Sequence, residues 1–126
     1  MSMNKPTVVI VDDSSSVRVF FGRVAAPLDV EVEMFASANE AFEYLEKHKP
    51  DLLFLDIIMP EKDGLTFLQE LRRLPLHEDT PTVVISSKDY AQDRVAAKEL
   101  GVVEFVAKPM STKAIEELIV RYTTST

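Results

Sequence analysis

Five short apolar segments recur along the chain, at Thr7–Val11, Val30–Phe35, Asp51–Leu55, Thr82–Ser86 and Val102–Val106, with longer helical patterns between them. Few folds accommodate such an alternation. Strands separated by helices pair in parallel through crossovers, and the helices cover both faces of the sheet. The helical segments carry their own periodicity. Val17, Phe20, Phe21 and Val24 fall at i, i+3, i+4 and i+7, and Ala38, Ala41, Phe42 and Leu45 repeat that spacing. Leu65, Leu68 and Leu71 form a third stripe; Ile115, Leu118, Ile119 and Tyr122 form the last. Ser37 with Glu40 reads as a capping box, and Ser14-Ser15-Ser16 as the cap of the first helix. Between Tyr90 and Leu100 the apolar stripe is thin, mainly Ala91, Val95 and Leu100, so the fourth helix is expected to be weakly held and movable.

The strands also hint at their order. Thr7–Val11, Leu52–Leu55 and Val83–Ile85 are nearly all apolar, as strands covered on both faces require. Val30-Glu31-Val32-Glu33 alternates, and Glu104 interrupts the fifth segment; both read as sheet edges. The order 2-1-3-4-5 satisfies this, which predicts a flavodoxin-like, doubly wound α/β fold. A chain of 126 residues fits one such domain, and one of this size needs no covalent staple. Cysteine is absent, which excludes disulfides, thiolate metal sites and a cysteine nucleophile. A net charge of −7 disfavours a nucleic-acid face. No apolar run nears the ~20 residues of a membrane span, and the start Met-Ser-Met-Asn-Lys-Pro lacks a signal-peptide core. The expectation is a cytoplasmic domain with a frayed tail at Thr123–Thr126.

In sheets of this kind, ligands bind beyond the carboxyl ends of the strands. Strand one ends in Asp12-Asp13, strand three in Asp56 and strand four in Ser86, and strand five is followed by Lys108-Pro109. The predicted order brings these ends to one rim. Crowded carboxylates raise one another's pKa unless a cation relieves them. With no cysteine or histidine cluster, a hard, oxygen-ligated dication such as Mg²⁺ fits best. Carboxylates, Mg²⁺, a lysine and a hydroxyl are the parts of phosphoryl transfer, with an aspartate as nucleophile. Each residue alone has a plainer reading: Asp12-Asp13 as a helix cap, Asp56 as a turn aspartate, Lys108 as a surface lysine. His48 and His77 lie in polar surroundings and read as surface residues.

Val8-Val9-Ile10-Val11-Asp12-Asp13-Ser14, Leu55-Asp56-Ile57-Ile58-Met59-Pro60 with Asp63-Gly64, Val84-Ile85-Ser86-Ser87 and Phe105-Val106-Ala107-Lys108-Pro109 together resemble the receiver domains of two-component response regulators. The likeness runs from Pro6 to about Tyr122, with 43, 30 and 22 residues separating Asp13, Asp56, Ser86 and Lys108. It implies that Asp56 accepts a phosphoryl group from a sensor histidine kinase or phosphotransfer protein. It implies Mg²⁺ held by Asp13 and Asp56 and the Ile58 carbonyl, with Asp12 acting mainly through water. Ser86 and Lys108 would bind the phosphoryl oxygens, and Phe105 would be the switch aromatic. The output would be a protein contact or self-dimer through the face formed by helix four, strand five and helix five. A cis Lys108–Pro109 bond is implied as well.

Ile58 is apolar where some relatives are polar, which predicts slow loss of the phosphoryl group. Ile58 also stands where aspartate-nucleophile phosphatases carry a second acid, which disfavours that class. Ser14–Arg18 has no glycine, which disfavours a flavin-phosphate loop. A degenerate receiver, acting as a phosphorylation-independent interaction module, is the alternative, although no site residue is missing. The Met start and short tail favour a stand-alone regulator over a fragment.

Overall fold

All five expected strands form and pair in parallel, in the order β2-β1-β3-β4-β5. The computed structural model describes residues 5–124, so Met1–Asn4 and positions 125 and 126 of the expected tail lie outside the described residues. The strands are β1 (Thr7–Val11), β2 (Glu31–Phe35), β3 (Leu52–Asp56), β4 (Thr82–Ser86) and β5 (Glu104–Ala107). Helices α1 (Ser15–Ala25), α2 (Ala38–Leu45), α3 (Gly64–Arg72), α4 (Ala91–Glu99) and α5 (Thr112–Thr123) alternate with them.

Period-two alternation in the central strands divides the core in two. Val8 and Ile10 face Phe21, Val24, Ile115 and Ile119 of α1 and α5. Val9 and Val11 face Ala41, Leu45, Phe67 and Leu68 of α2 and α3. β1, β3 and β4 are buried nearly throughout, whereas β2 and β5 are largely exposed, as edge strands are. Ser14, Ser37, Asp63 and Ser111 cap their helices through side-chain oxygens.

Several boundaries and contacts differ from the expectation. β3 begins at Leu52 because the Asp51 carboxylate accepts the Thr7 N–H at 2.8 Å just before the strand. β5 begins at Glu104 because the Val102 N–H closes the end of α4, bonding the Ala97 carbonyl at 3.1 Å. Thr123 is the last residue of α5, its hydroxyl donating to the Ile119 carbonyl at 2.6 Å. In α4 the core contact is Ala97 rather than Val95, which is 58% exposed.

His77 is the clearest correction. It ends a single 3-10 turn (Pro75–His77) and is fully buried. Its Nε2 lies 2.6 Å from the Leu45 carbonyl and its Nδ1 2.8 Å from Thr80 Oγ1. A neutral ring satisfies both, with Nε2–H donating and Nδ1 accepting. Burial lowers its pKa below the ordinary 6.5, assisted by the charges of Lys49 and Arg72. The unfolded chain therefore takes a proton more readily, and the stability that the neutral ring contributes is lost as pH falls below 6.5. Replacing His77 by Gln should flatten the fall in unfolding temperature between about pH 6.5 and 5. Melts of both proteins across that range check this, and parallel slopes would refute it.

Candidate functional site

The sheet register builds the site. Val11 is level with Leu55, Asp56 with Ile85, and Ser86 with Ala107. Asp12, Asp56, Ser86 and Lys108 therefore reach one rim, although the chain separates them widely.

Asp12 is fully buried. Its Oδ1 accepts the Ser14 N–H at 2.9 Å, which opens the turn into α1. Its Oδ2 lies 3.0 Å from Lys108 Nζ, yet no donor is aimed at it in hydrogen-bond geometry among the described residues. Arg18 reaches back to donate to the Asp12 carbonyl at 2.7 Å, a contact that sequence reasoning did not predict.

Asp56 is 3% exposed. Its Oδ1 accepts the Ile58 N–H at 3.2 Å, and its Oδ2 lies 3.6 Å from Lys108 Nζ. Gly64 brings α3 against this strand end, its N–H on the Ile57 carbonyl at 2.6 Å. A Cβ there would collide with the Asp56 backbone carbonyl, so the close approach requires glycine. Asp13 is exposed at the mouth, and one oxygen from each of Asp12, Asp13 and Asp56 lies within 4.8 Å of the others. Burial, then the charge of Asp12, raises the Asp56 pKa from 3.8 to about 6, against the opposing pull of Lys108 and the Ile58 N–H. Three carboxylates face one ammonium, and one buried oxygen lacks a donor. That donor set fits a hard dication with oxygen ligands.

Ser86 is buried at the same rim, but its hydroxyl is engaged in its own turn. It donates to the Lys88 carbonyl at 2.8 Å and accepts the Lys88 N–H at 3.1 Å. Phe105 is half-buried and packs on the cluster of Ile57, Val84 and Ala97. The Arg94 guanidinium lies 4.5 Å from the centre of its ring and also pairs with Asp89. Sequence reasoning missed Arg94 because nothing local couples this α4 residue to an aromatic on β5. The Ile58 side chain is 45% exposed. The Lys108–Pro109 peptide is cis, as expected. A groove of about 430 Å³ opens beside Lys108, lined mainly by Val17, Phe20, Pro109 and Met110 with Ser16 and Ser87.

This arrangement can be compared with known proteins. The family model described as response regulator receiver domain matches residues 8–120. The chain belongs to that family. It is a phospho-accepting receiver of the two-component type, a signalling domain. Among curated relatives, the cyclic di-GMP phosphodiesterase response regulator RpfG of Xanthomonas campestris is 37% identical over 110 residues, covering 86% of this chain and 29% of that protein. Response regulator Rre1 of Synechocystis is 33% identical over 117 residues, covering 90% of this chain and 49% of that protein. The chain thus spans less than half the length of these relatives. Among solved structures, the chemotaxis response regulator CheY4 of Vibrio cholerae superposes with a TM-score of 0.86 at 24% identity, covering 94% of this chain and 99% of that one. The phosphorylated cyanobacterial phytochrome response regulator RcpA gives 0.87 at 23% identity, with 97% of each chain covered. These two likenesses bear on the fold. Among the described residues of this receiver, no helix is long and apolar enough to cross a membrane.

Proposed function

We propose that Asp56 is the residue that takes the phosphoryl group. The observation that carries this is its placement, with a buried carboxylate oxygen 3.6 Å from Lys108 Nζ and two further carboxylates gathered beside it. An Asp56 oxygen attacks phosphorus, and the phosphorus–nitrogen bond of a phosphohistidine donor breaks. The electron pair leaves with the imidazole nitrogen, and an acyl phosphate remains on Asp56. Asp13, Asp56 and the Ile58 carbonyl would hold Mg²⁺, with Asp12 reaching it mainly through water. When bound, the ion offsets the charge that gathers on the transferring oxygens. Lys108 pairs with one phosphoryl oxygen. Ser86 gives up its bonds to Lys88 and donates to another, drawing the β4–α4 turn inward. Phe105 then moves with Arg94, and the face formed by α4, β5 and α5 changes shape.

The change is a population shift between two arrangements, biased by the added charge and acceptor oxygens. A downstream protein, or a second copy of the domain, reads that face. The donor is a sensor histidine kinase or phosphotransfer protein, and the apolar groove beside Lys108 suits its approach. The domain turns over only its own acyl phosphate, and it acts in the cytoplasm without touching nucleic acid.

Incubation with acetyl phosphate and Mg²⁺ should add one phosphoryl group to the intact mass, and EDTA should prevent it. A chain that gains no mass, and whose amide spectrum ignores beryllofluoride, would instead be a degenerate interaction module. The exposed Ile58 side chain stands where water must approach the acyl phosphate. Ile58→Asn should therefore speed hydrolysis by about tenfold, equivalent to ~1.4 kcal/mol of barrier. Loss of the phosphoryl group followed by mass after donor removal checks this, and equal lifetimes would refute it.

A further inference from the structure

Apart from Arg94, which lies on the Phe105 ring and pairs with Asp89, little holds α4 in place. Ala97 is its one buried residue, and its N-cap, Tyr90, makes no side-chain cap bond. Its C-terminal end is different. Gly101 adopts φ +79°, a left-handed conformation that favours glycine. The Gly101 N–H bonds the Lys98 carbonyl at 3.0 Å, and the Val102 N–H returns to the Ala97 carbonyl at 3.1 Å. This pair is a Schellman closure.

A cation from another helix completes that end. Arg72, at the close of α3, donates through Nε to the Leu100 carbonyl at 2.9 Å. Its Nη1 donates to the His77 and Thr80 carbonyls, each at 2.9 Å, and its Nη2 to Thr82 Oγ1 at 3.3 Å. One planar guanidinium thus ties the last turn of α4 to the 3-10 turn and to the start of β4. This lies at the end of the sheet opposite Asp56. Guanidinium presents donors in a rigid fork that a lysine cannot reproduce.

We propose that Arg72 is a positioning residue that anchors α4 at its C-terminal end and makes the Leu100–Gly101 turn the pivot about which the helix moves. The anchor stands independently of phosphorylation; only the use of the pivot rests on the function proposed above. A helix fixed at Leu100 and loose at Tyr90 swings where it leaves the Ser86 turn, which turns a small inward pull into a rotation of its exposed side.

Backbone ¹⁵N relaxation on the unphosphorylated domain tests the anchor. Leu100, Gly101 and Val102 should show order parameters near the rigid value of about 0.85 in the parent. In Arg72→Met they should fall toward about 0.6, while Val9 and Leu53 keep their values. Arg72→Lys, which keeps the charge without the fork, should fall between, and it carries the comparison if Arg72→Met does not fold. A rigid α4 end in the variants, or loosening shared equally by Val9 and Leu53, would overturn the proposal. Beryllofluoride then tests the pivot. In the parent, amide resonances of Tyr90–Val95 should shift while those of Leu100–Val102 stay in place; in the variant both sets should shift. Equal shifts at both ends of the parent helix would overturn the pivot. No response at all in the parent would count against the phosphoryl reading and leave the anchor standing on its relaxation data.

Discussion

Asp56→Asn should abolish phosphorylation by acetyl phosphate and, without metal, should make the domain more stable at neutral pH. The first effect follows from the nucleophile: an amide in place of the carboxylate supplies no anionic oxygen to attack phosphorus. The second follows from the raised pKa. An acid whose pKa climbs from 3.8 to about 6 on folding is destabilised as a charge. The folded state binds the extra proton between those values, so this penalty is absent below 3.8 and fully present above 6. A shift of that size corresponds to at most about 3 kcal/mol at neutral pH. Asparagine keeps an oxygen for the Ile58 N–H and removes one of the crowded charges. The variant should therefore unfold at a higher urea concentration than the parent at pH 7.5 in EDTA. The gap should close as pH falls through 6 toward 4, and Mg²⁺ should narrow it. His77 acts in the opposite direction, losing its contribution as pH falls, so the parent's own pH profile mixes the two. Subtracting the Asp56→Asn profile isolates the carboxylate. Retained labelling would remove Asp56 from the role of acceptor, and an unchanged or lower stability would remove the electrostatic account.

The alternation of apolar segments with helical stripes was enough to reach the topology, because burial on two faces distinguishes inner strands from edges. β1 and β3, apolar at nearly every position, needed cover on both faces, and β2 and β5, with Glu31 and Glu104, did not. The rim residues were legible for the same reason: parallel order alone brings the residues after Val11, Leu55, Ile85 and Ala107 together. What stayed illegible depends on contacts between distant segments. His77, between Leu76 and Glu78, looks exposed in sequence, and only the Leu45 carbonyl, 32 residues away, and Thr80 make its burial tolerable. Arg18, Arg72 and Arg94 carry no local signal in the sequence, yet each aims its guanidinium at a carbonyl or a ring set by the fold. Boundaries slipped at β3 because Asp51 bonds the distant Thr7, and at β5 because Val102 closes the end of α4 instead of opening the strand. The fourth helix was correctly thin, but its contact with the sheet is the small Ala97, and a stripe of large residues does not reveal that.

Lys108→Met should cost the metal-free domain stability where Asp56→Asn adds it. The lysine is the ammonium facing two buried carboxylates, 3.0 Å from Asp12 and 3.6 Å from Asp56. Removing one partner of a buried ion pair leaves an uncompensated charge, at a cost of about 3 kcal/mol. Methionine keeps the length of the side chain that lines the groove with Phe20, so the loss reports charge rather than volume. With the lysine gone, its lowering influence on Asp56 is gone too, and that acid should hold its proton above pH 6. The stability deficit must then shrink as pH falls and Asp56 becomes neutral, and Mg²⁺ should also reduce it. The double variant, Lys108→Met with Asp56→Asn, should recover much of the deficit, because one fewer carboxylate needs the ammonium. A double-mutant cycle in urea at pH 7.5 measures that coupling. Additive effects would show that Lys108 does not act through its charge on Asp56. The same variant separates acceptance from switching. Beryllofluoride should still seek Asp56 and Mg²⁺, but without the ammonium to draw the phosphoryl mimic toward β5, the amides of Ser86 and Phe105 should keep their unactivated positions.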